Sequence, residues 1–386
     1  MNSSTEVRLG IIGLGIMGNV HAKNILAGKV PGLKLSALAD AKRDRAEVYS
    51  EVPIFESAGQ LIESGTVDAV LIATPHYAHT DIGIEALKAG LHVLVEKPIS
   101  VHKADCERLM AAHQKEGQVF AAMFNQRTDP KYLKLKDLID SGELGRINRV
   151  NWTVTDWFRT EQYYASGGWR ATWSGEGGGV LLNQCPHQLD LWQWLFGMPS
   201  SVRGFCEYGR FHDIEVEDDV TAYMEYDDGK KGVLITTTGE APGTNRLEIA
   251  AERGRLILEG STLEWLRNET ETSRFSKACA TNFDKPETTE ERFEFEGKGE
   301  QHVGILKNFT AAILENAPLI APAAEGIHSV ELANTIIHSS DLGATIQLPL
   351  DGAAYAENLQ DKISNSTYVK PEQKASAGEQ DFSKSF

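Results

Sequence analysis

Gly13, Gly15 and Gly18 form a GxGxxG string between an apolar run, VRLGII, and a stretch of helical periodicity that begins near Met17. Glycines so placed do three jobs. Gly13 permits a tight turn, Gly15 lets the backbone approach a pyrophosphate, and Gly18 lets the helix pack close to the strand. Ile16 and Met17 open a helix whose unpaired N–H groups suit phosphates. Asp40 follows 22 residues after Gly18, at the end of a second apolar run, LKLSALAD. A carboxylate there accepts from the ribose hydroxyls of an adenosine and repels a 2′-phosphate, which predicts NAD rather than NADP. Lys42 and Arg43 lie close enough to weaken that repulsion, and Arg43 is counted with the cofactor contacts.

Two further residues are of types that move protons: Lys97, in HVLVEKP, and His187, in GEGGGVLLNQCPHQLDLWQWLFG. Lys97 ends an apolar run read as a strand of the nucleotide-binding sheet, and that end of such a strand faces the ligand crevice. Removing a hydride from a secondary alcohol requires the hydroxyl proton to leave as well, so the site needs a base and a donor that steadies the alkoxide. A partly desolvated lysine beside a positively charged ring has a lowered pKa and fits a proton relay. Asn183, four residues before His187, can orient an imidazole or hold a hydroxyl, but it cannot balance an imidazolium charge as a carboxylate does. Pro186 predicts a helix start or kink between them, so the two need not share a helical face. Asp190 either orients the site or pairs structurally.

Periodicity supplies the elements that must hold these residues. The apolar runs VRLGII, LKLSALAD, DAVLIATP and HVLVEKP alternate with helical stretches such as HTDIGIEALKAG and KADCERLMAAHQKEG, and VFAAMFNQR adds another strand. Near-continuous apolar strands alternating with helices imply a parallel sheet covered on both faces. Beyond residue 125 the rhythm changes. NRVNWTVTDWF, SVRGFCEYG, DVTAYMEYDDGKKGVLITTTG and NRLEIAAERGRLILEG read as antiparallel strands with turn-like DDGK and ERGR between neighbours. Helical PHQLDLWQWLFG, HVGILKNFTAAILENA and EGIHSVELANTIIHSSDLG flank them. The expected class is α/β: an N-terminal Rossmann dinucleotide-binding domain over residues 1–124, a C-terminal α+β domain over 125–364, and a polar tail over 365–386, mobile or docked on a partner subunit. Residues 268–300, with nine acidic and five basic side chains, read as a solvated loop with one strand near FEF.

A length of 386 residues suits two domains. With 38 Lys+Arg against 55 Asp+Glu the net charge is −17, the wrong sign for tracking nucleic-acid phosphates. Four cysteines, Cys106, Cys185, Cys206 and Cys279, show no CxxC or Cys/His spacing, which argues against a disulfide framework or a metal site and for a cytoplasmic setting. MNSSTEVRLGII has no basic n-region and no long apolar h-region, so neither a signal peptide nor a membrane span is expected.

The segments ATPHYAH (73–79), EKP (96–98) and GEGGGVLLNQCPHQLDLWQWLFG (175–197), with the glycine string, resemble the Gfo/Idh/MocA family of nicotinamide-dependent oxidoreductases, which act mostly on sugars, cyclitols and their derivatives. The four signatures stand in the family's order, and the resemblance runs from about Val7 to Pro349. It implies a C-terminal domain built on a large, open, mainly antiparallel sheet. It further implies that Ala73, Thr74, Pro75 and His79 border the nicotinamide half of the cofactor; His76, a candidate contact beside them, stands where the family commonly has Asn. Glu96 is implied near the nicotinamide ribose and Lys97 facing the reacting carbinol, with Pro98 often cis. Trp169 and Arg170 occur where some relatives reach back across the cofactor, and Asn125 is a further cofactor candidate. The family often has Asp where Asn183 stands, and Asp190 matches its acidic position after the histidine. Asn183-Gln184 resembles the subgroup that oxidises C3 of hexopyranosides, including nucleotide-linked sugars. Arg127, Trp157, Arg159, Tyr163, Tyr164, Trp169 and Trp173 form an aromatic and basic cluster whose rings either stack on the C–H face of a sugar or fill the core. Arg127, Trp157 and Tyr163 join Lys97, Asn183 and His187 as candidate substrate contacts.

The leading expectation is an NAD-dependent dehydrogenase that oxidises a secondary ring hydroxyl, C3 by that resemblance, of a sugar, glycoside or cyclitol, with Lys97, His187 and Asn183 handling the proton. A second keeps NAD bound and returns the hydride after a transient 3-keto intermediate has lost its glycosidic group. A third, a non-catalytic cofactor-sensing regulator, is disfavoured by the presence of both Lys97 and His187. The expected partner is a small carbohydrate, without nucleic acid or membrane. An open sheet with one apolar face predicts a homodimer or homotetramer.

Overall fold

Six short strands, β1 (Val7–Ile12), β2 (Leu33–Ala39), β3 (Ile54–Phe55), β4 (Ala69–Ile72), β5 (His92–Val95) and β6 (Phe120–Ala122), pair in parallel in the order β3-β2-β1-β4-β5-β6. They belong to a computed structural model that describes residues 5–372; the tail beyond 372 lies outside the described residues. All of β4 is buried, and β5 after its first residue, which is why their sequences carry no polar alternation. The crossovers are helices α1 (Ile16–Leu26), α2 (Ala58–Glu63), α3 (His76–Lys88) and α4 (Lys103–Ala112). The strand order reverses between β1 and β4, and ligands bind past the carboxyl ends of the strands at such a switch point.

Nine strands between Ile147 and Gln347 form the second sheet. Neighbours run antiparallel except Lys231–Thr237, which pairs in parallel with Ile147–Val154. Helices Pro186–Phe196 and Ala323–Leu342 pack on one face and share a core with Trp152, Trp192 and Trp265. Residues 268–300 carry the expected strand, an edge strand Thr288–Glu294 that reaches into FEF and pairs with Thr262–Asn268, but differ from the expected loop in also forming a helix, Thr272–Ala278. The side chains of that strand are mostly exposed, so backbone pairing rather than apolar alternation holds it.

The chain then returns to the first sheet. Ile305, Leu306 and Phe309, from helix Gln301–Glu315, join the core of β1 to β6. The described start of the tail packs on its own chain, with Lys370 Nζ donating to the carbonyls of Gly167 (2.6 Å) and Arg170 (2.7 Å). Among the described residues, no helix is long and apolar enough to cross a membrane.

Candidate active site

A cleft of about 990 Å³ is lined by residues of both sheets' domains, from the glycine turn to the helix that begins at Pro186. At its first end β1 runs into Gly13, whose φ of +95° suits glycine, and a Cβ on Gly18 would overlap the Gly13 carbonyl oxygen. Gly18 therefore sits behind the turn and acts through packing. Gly15 has open space where a side chain would stand, and α1 starts there with no side-chain cap, leaving first-turn N–H groups available. With Ile16 and Met17 beside it, this open helix start fits a pyrophosphate. Asp40 lines the same end, accepting from the N–H groups of Leu14 (2.6 Å) and Lys42 (2.7 Å).

Two cofactor candidates lie elsewhere. Arg43 does not itself line the cleft but forms an exposed ion pair at 3.3 Å with Glu56, which does, as do Lys42 and Arg45. Asn125 is buried in the turn after β6, its amide donating to Gln301 Oε1 at 2.6 Å.

Ala73, Thr74, Pro75 and His76 line the middle of the cleft, where β4 gives way to α3. His79, one turn into α3, has its ring nitrogens 2.8 Å from the carbonyl oxygens of Pro98 and Thr74, and so ties the ends of β4 and β5 together. β5 delivers Glu96 and Lys97, and the Lys97–Pro98 peptide is cis. His21 Nε2 donates to Glu96 Oε1 at 2.7 Å, with both side chains buried. Burial opposes the Glu96 charge, but the His21 hydrogen bond, with His302 and Lys97 nearby, outweighs it and holds the carboxyl at about 2.

Lys97 Nζ donates to the Asn183 carbonyl at 2.9 Å. Burial lowers its pKa; Glu96 and Glu176 resist, while Arg170 and Arg159 add to the lowering. His187, 5% exposed, lines the same part of the cleft, and its Nδ1 finds no partner among the described residues. Burial, then Lys97 and His302, hold its pKa well below that of an ordinary histidine, so the ring is a neutral imidazole at pH 7. Pro186 occupies the first turn of the helix, which leaves Asn183 in the preceding turn and off the His187 face.

The glycine run shapes that turn. A Cβ on Gly179 would overlap the Glu217 carbonyl oxygen, and Glu217 Oε1 accepts from Gly179 N (2.8 Å) and Leu181 N (3.1 Å). Tyr163 OH donates to Asn183 Oδ1 at 3.2 Å and accepts from Arg170 (2.8 Å) and Gln184 (3.1 Å). Trp157, Tyr163, Trp169 and Arg170 line the cleft, with Trp169 edge-on to His76. Tyr164 and Trp173 are core instead, Tyr164 OH meeting Thr238 Oγ1 at 2.7 Å.

Arg127 requires a correction. It is 1% exposed and outside the cleft, gripping Asp190 through two bonds of 2.6 and 2.8 Å and also donating to the Ile320 carbonyl and Glu325. Four of its five N–H groups are engaged within the protein, two of them on the helix that carries His187, and its position outside the cleft keeps it from a substrate there. Asp190 is accordingly a structural partner.

Three residues escaped the sequence. His21 lies on the buried side of α1 with Gly18, Ala22 and Ile25, and a titratable ring on that apolar face was the available signal. His302 lines the cleft edge-on to His21, and nothing in its acidic surroundings marks it. Glu176 stands in GEGGG, where the glycines are the stronger signal; it accepts from Asn183 Nδ2 and from Ala171 N. Among the described residues, no group of three or more His, Cys, Asp or Glu is placed to hold a metal ion.

Comparison with known proteins is consistent with this architecture. Residues 7–124 match the oxidoreductase family with an NAD-binding Rossmann fold, and residues 132–257 match the GFO/IDH/MocA C-terminal domain. The chain is 27% identical to myo-inositol 2-dehydrogenase of Thermotoga maritima over 265 residues, 66% of this chain and 75% of that protein. It is 36% identical to inositol 2-dehydrogenase of Salmonella typhimurium over 200 residues, 49% of this chain and 54% of that one. Among solved structures, the WlbA dehydrogenase of Bordetella pertussis, in complex with NADH and UDP-GlcNAcA, superposes with a TM-score of 0.74 at 25% identity, covering 90% of this chain and 100% of that one.

Proposed function

Because the chain belongs to the Gfo/Idh/MocA family of oxidoreductases, we propose that it is an NAD-dependent dehydrogenase that oxidises a secondary ring hydroxyl of a cyclitol or pyranose sugar. One observation carries this: Lys97, at the end of β5, and His187, at the start of its helix, meet in the cleft that also contains the glycine turn and Asp40. When bound there, NAD supplies the hydride acceptor. Lys97, shifted toward its neutral form by burial, takes the proton from the substrate hydroxyl. His187, a neutral imidazole, gives a hydrogen bond to the same oxygen as the proton leaves it for Lys97. The Asn183 carbonyl steadies the resulting ammonium, and the rings of Trp157, Tyr163 and Trp169 offer apolar faces to the sugar.

The relatives support the substrate class. Two are named for inositol, and a third was crystallised with a nucleotide-linked pyranose. Asn183-Gln184 favours C3 of a pyranose within that class. Free thiols at Cys106, Cys185, Cys206 and Cys279 support a cytoplasmic setting. One face of the nine-stranded sheet is covered by helices, and the other presents half-buried Tyr223, Val233, Ile235 and Leu266, which supports assembly into a homodimer or homotetramer.

The test is a panel of myo-inositol, scyllo-inositol, hexopyranosides and UDP-linked uronic acids with added NAD, followed by nicotinamide absorbance and by release of the aglycone. Stoichiometric NADH supports the dehydrogenase. Aglycone release with no net NADH would replace it with a redox-neutral hydrolase or lyase, and silence throughout despite NAD binding would leave a cofactor-sensing regulator.

A further inference from the structure

The wall of the cleft built from residues 157–187 presents two arginines and no carboxylate. A carboxylate lies directly behind it. Glu176 is 1% exposed, and its two oxygens have different partners: one accepts from Asn183 Nδ2, the other from Ala171 N at 2.7 Å. Tyr163 OH grips the opposite end of the same amide at 3.2 Å. Asn183 is thus fixed from both sides, and its backbone carbonyl is the group that meets Lys97 Nζ. An amide alone cannot balance a cation, but an amide donating to a carboxylate is polarised by it.

We propose that Glu176 is a positioning residue of the proton-handling site: from behind Asn183 it supplies the negative charge that an acid at position 183 would supply directly, and it sets the Asn183 carbonyl against Lys97. In turnover, which rests on the dehydrogenase reading, the hydroxyl proton moves to Lys97 Nζ while the hydride leaves for the cofactor, and Glu176 steadies the ammonium so formed. Other groups also face Lys97. Glu96 adjoins it on its own strand end, Arg159 and Arg170 approach from the 157–170 segment, His187 and His302 from their helices, and His76 and His79 from α3. Of the two carboxylates, Glu96 is bonded to His21, which leaves Glu176 as the one joined to the residue that Lys97 touches.

The experiment reads Lys97 without turnover. Competitive acetylation of the full-length chain with acetic anhydride across pH, followed by peptide mass spectrometry, yields the labelling midpoint of Lys97. Loss of a nearby negative charge disfavours the ammonium, so Glu176→Gln is expected to lower that midpoint by about half a unit or more, with NADH affinity by fluorescence held within roughly twofold. Glu176→Gln combined with Asn183→Asp should bring the midpoint back toward wild type. An unchanged midpoint in Glu176→Gln overturns the proposal and assigns Glu176 to bracing Ala171 and Asn183. Should Glu176→Gln fail to fold, Glu176→Asp, which keeps the charge but draws it back from Asn183 by one methylene, decides: a lowered midpoint supports the proposal and an unchanged one overturns it. An unshifted midpoint in an enzyme that forms NADH sinks this proposal alone, whereas a shifted midpoint in a chain that oxidises no polyol sinks the dehydrogenase reading alone.

Discussion

Lys97 is half-buried and Arg127 fully buried, and their surroundings send these two cations to opposite tasks. Lys97 meets one carbonyl oxygen and is lowered from the ordinary lysine range by burial, which makes a neutral amine accessible. Lys97→Ala should cut turnover by about 10²-fold or more while NADH affinity by calorimetry stays within a few-fold; retained turnover would remove it from the mechanism. Oxidation needs the unprotonated amine, so the rate should fall as pH falls through the Lys97 pKa, with a midpoint below the usual lysine value in the pH–rate profile. Arg127, by contrast, is paired on all sides with Asp190 and Glu325. Arg127→Met leaves Asp190 buried without its cation and should cost about 3–5 kcal/mol in urea unfolding, with the substrate KM little changed. A large rise in KM at full stability would return Arg127 to the substrate.

The elements around the cleft are held by contacts that a single change can break. The turn carrying Asn183 depends on Gly179 lying against Glu217, so Gly179→Ala should displace the Asn183 carbonyl from Lys97, lowering kcat more than NADH affinity. Equal losses in both would point to general unfolding. Glu96 ties β5 to α1 through His21, and this tie depends on pH. Its folded pKa, about 2, lies below the unfolded carboxyl value of 4.5, so its stabilisation is fully present only above that value and is lost as pH falls toward 2. The linkage is worth about 3 kcal/mol at neutral pH. Glu96→Gln should therefore flatten stability against pH between about 4 and 2 in urea titrations, and an unaltered acid limb would contradict the assignment.

The molecule as a whole joins two cores through a chain that leaves the first sheet after β6 and comes back to it with helix Gln301–Glu315. That return places His302 beside His21 in the cleft, so the cleft is complete only when both cores have folded. The uncovered sheet face leads us to expect a dimer or tetramer in sedimentation or small-angle scattering, and a strict monomer would leave the half-buried Tyr223, Val233, Ile235 and Leu266 needing another explanation.

Much of this protein is written locally. The glycine string, Asp40 at the end of β2, the EKP turn and the helix start at Pro186 each need only neighbouring residues to be recognised, because turn geometry and burial period are short-range properties. The same periods missed the two-residue β3 and the helix Thr272–Ala278, which contribute little or no buried apolar face. Which charge meets which was beyond sequence. Arg127 and Asp190 stand 63 residues apart, and the polar pattern of each fits a substrate site as well as an ion pair. A side chain's chemistry follows from its partners and its dielectric surroundings, and packing alone set Arg127 against Asp190 and Glu176 behind Asn183.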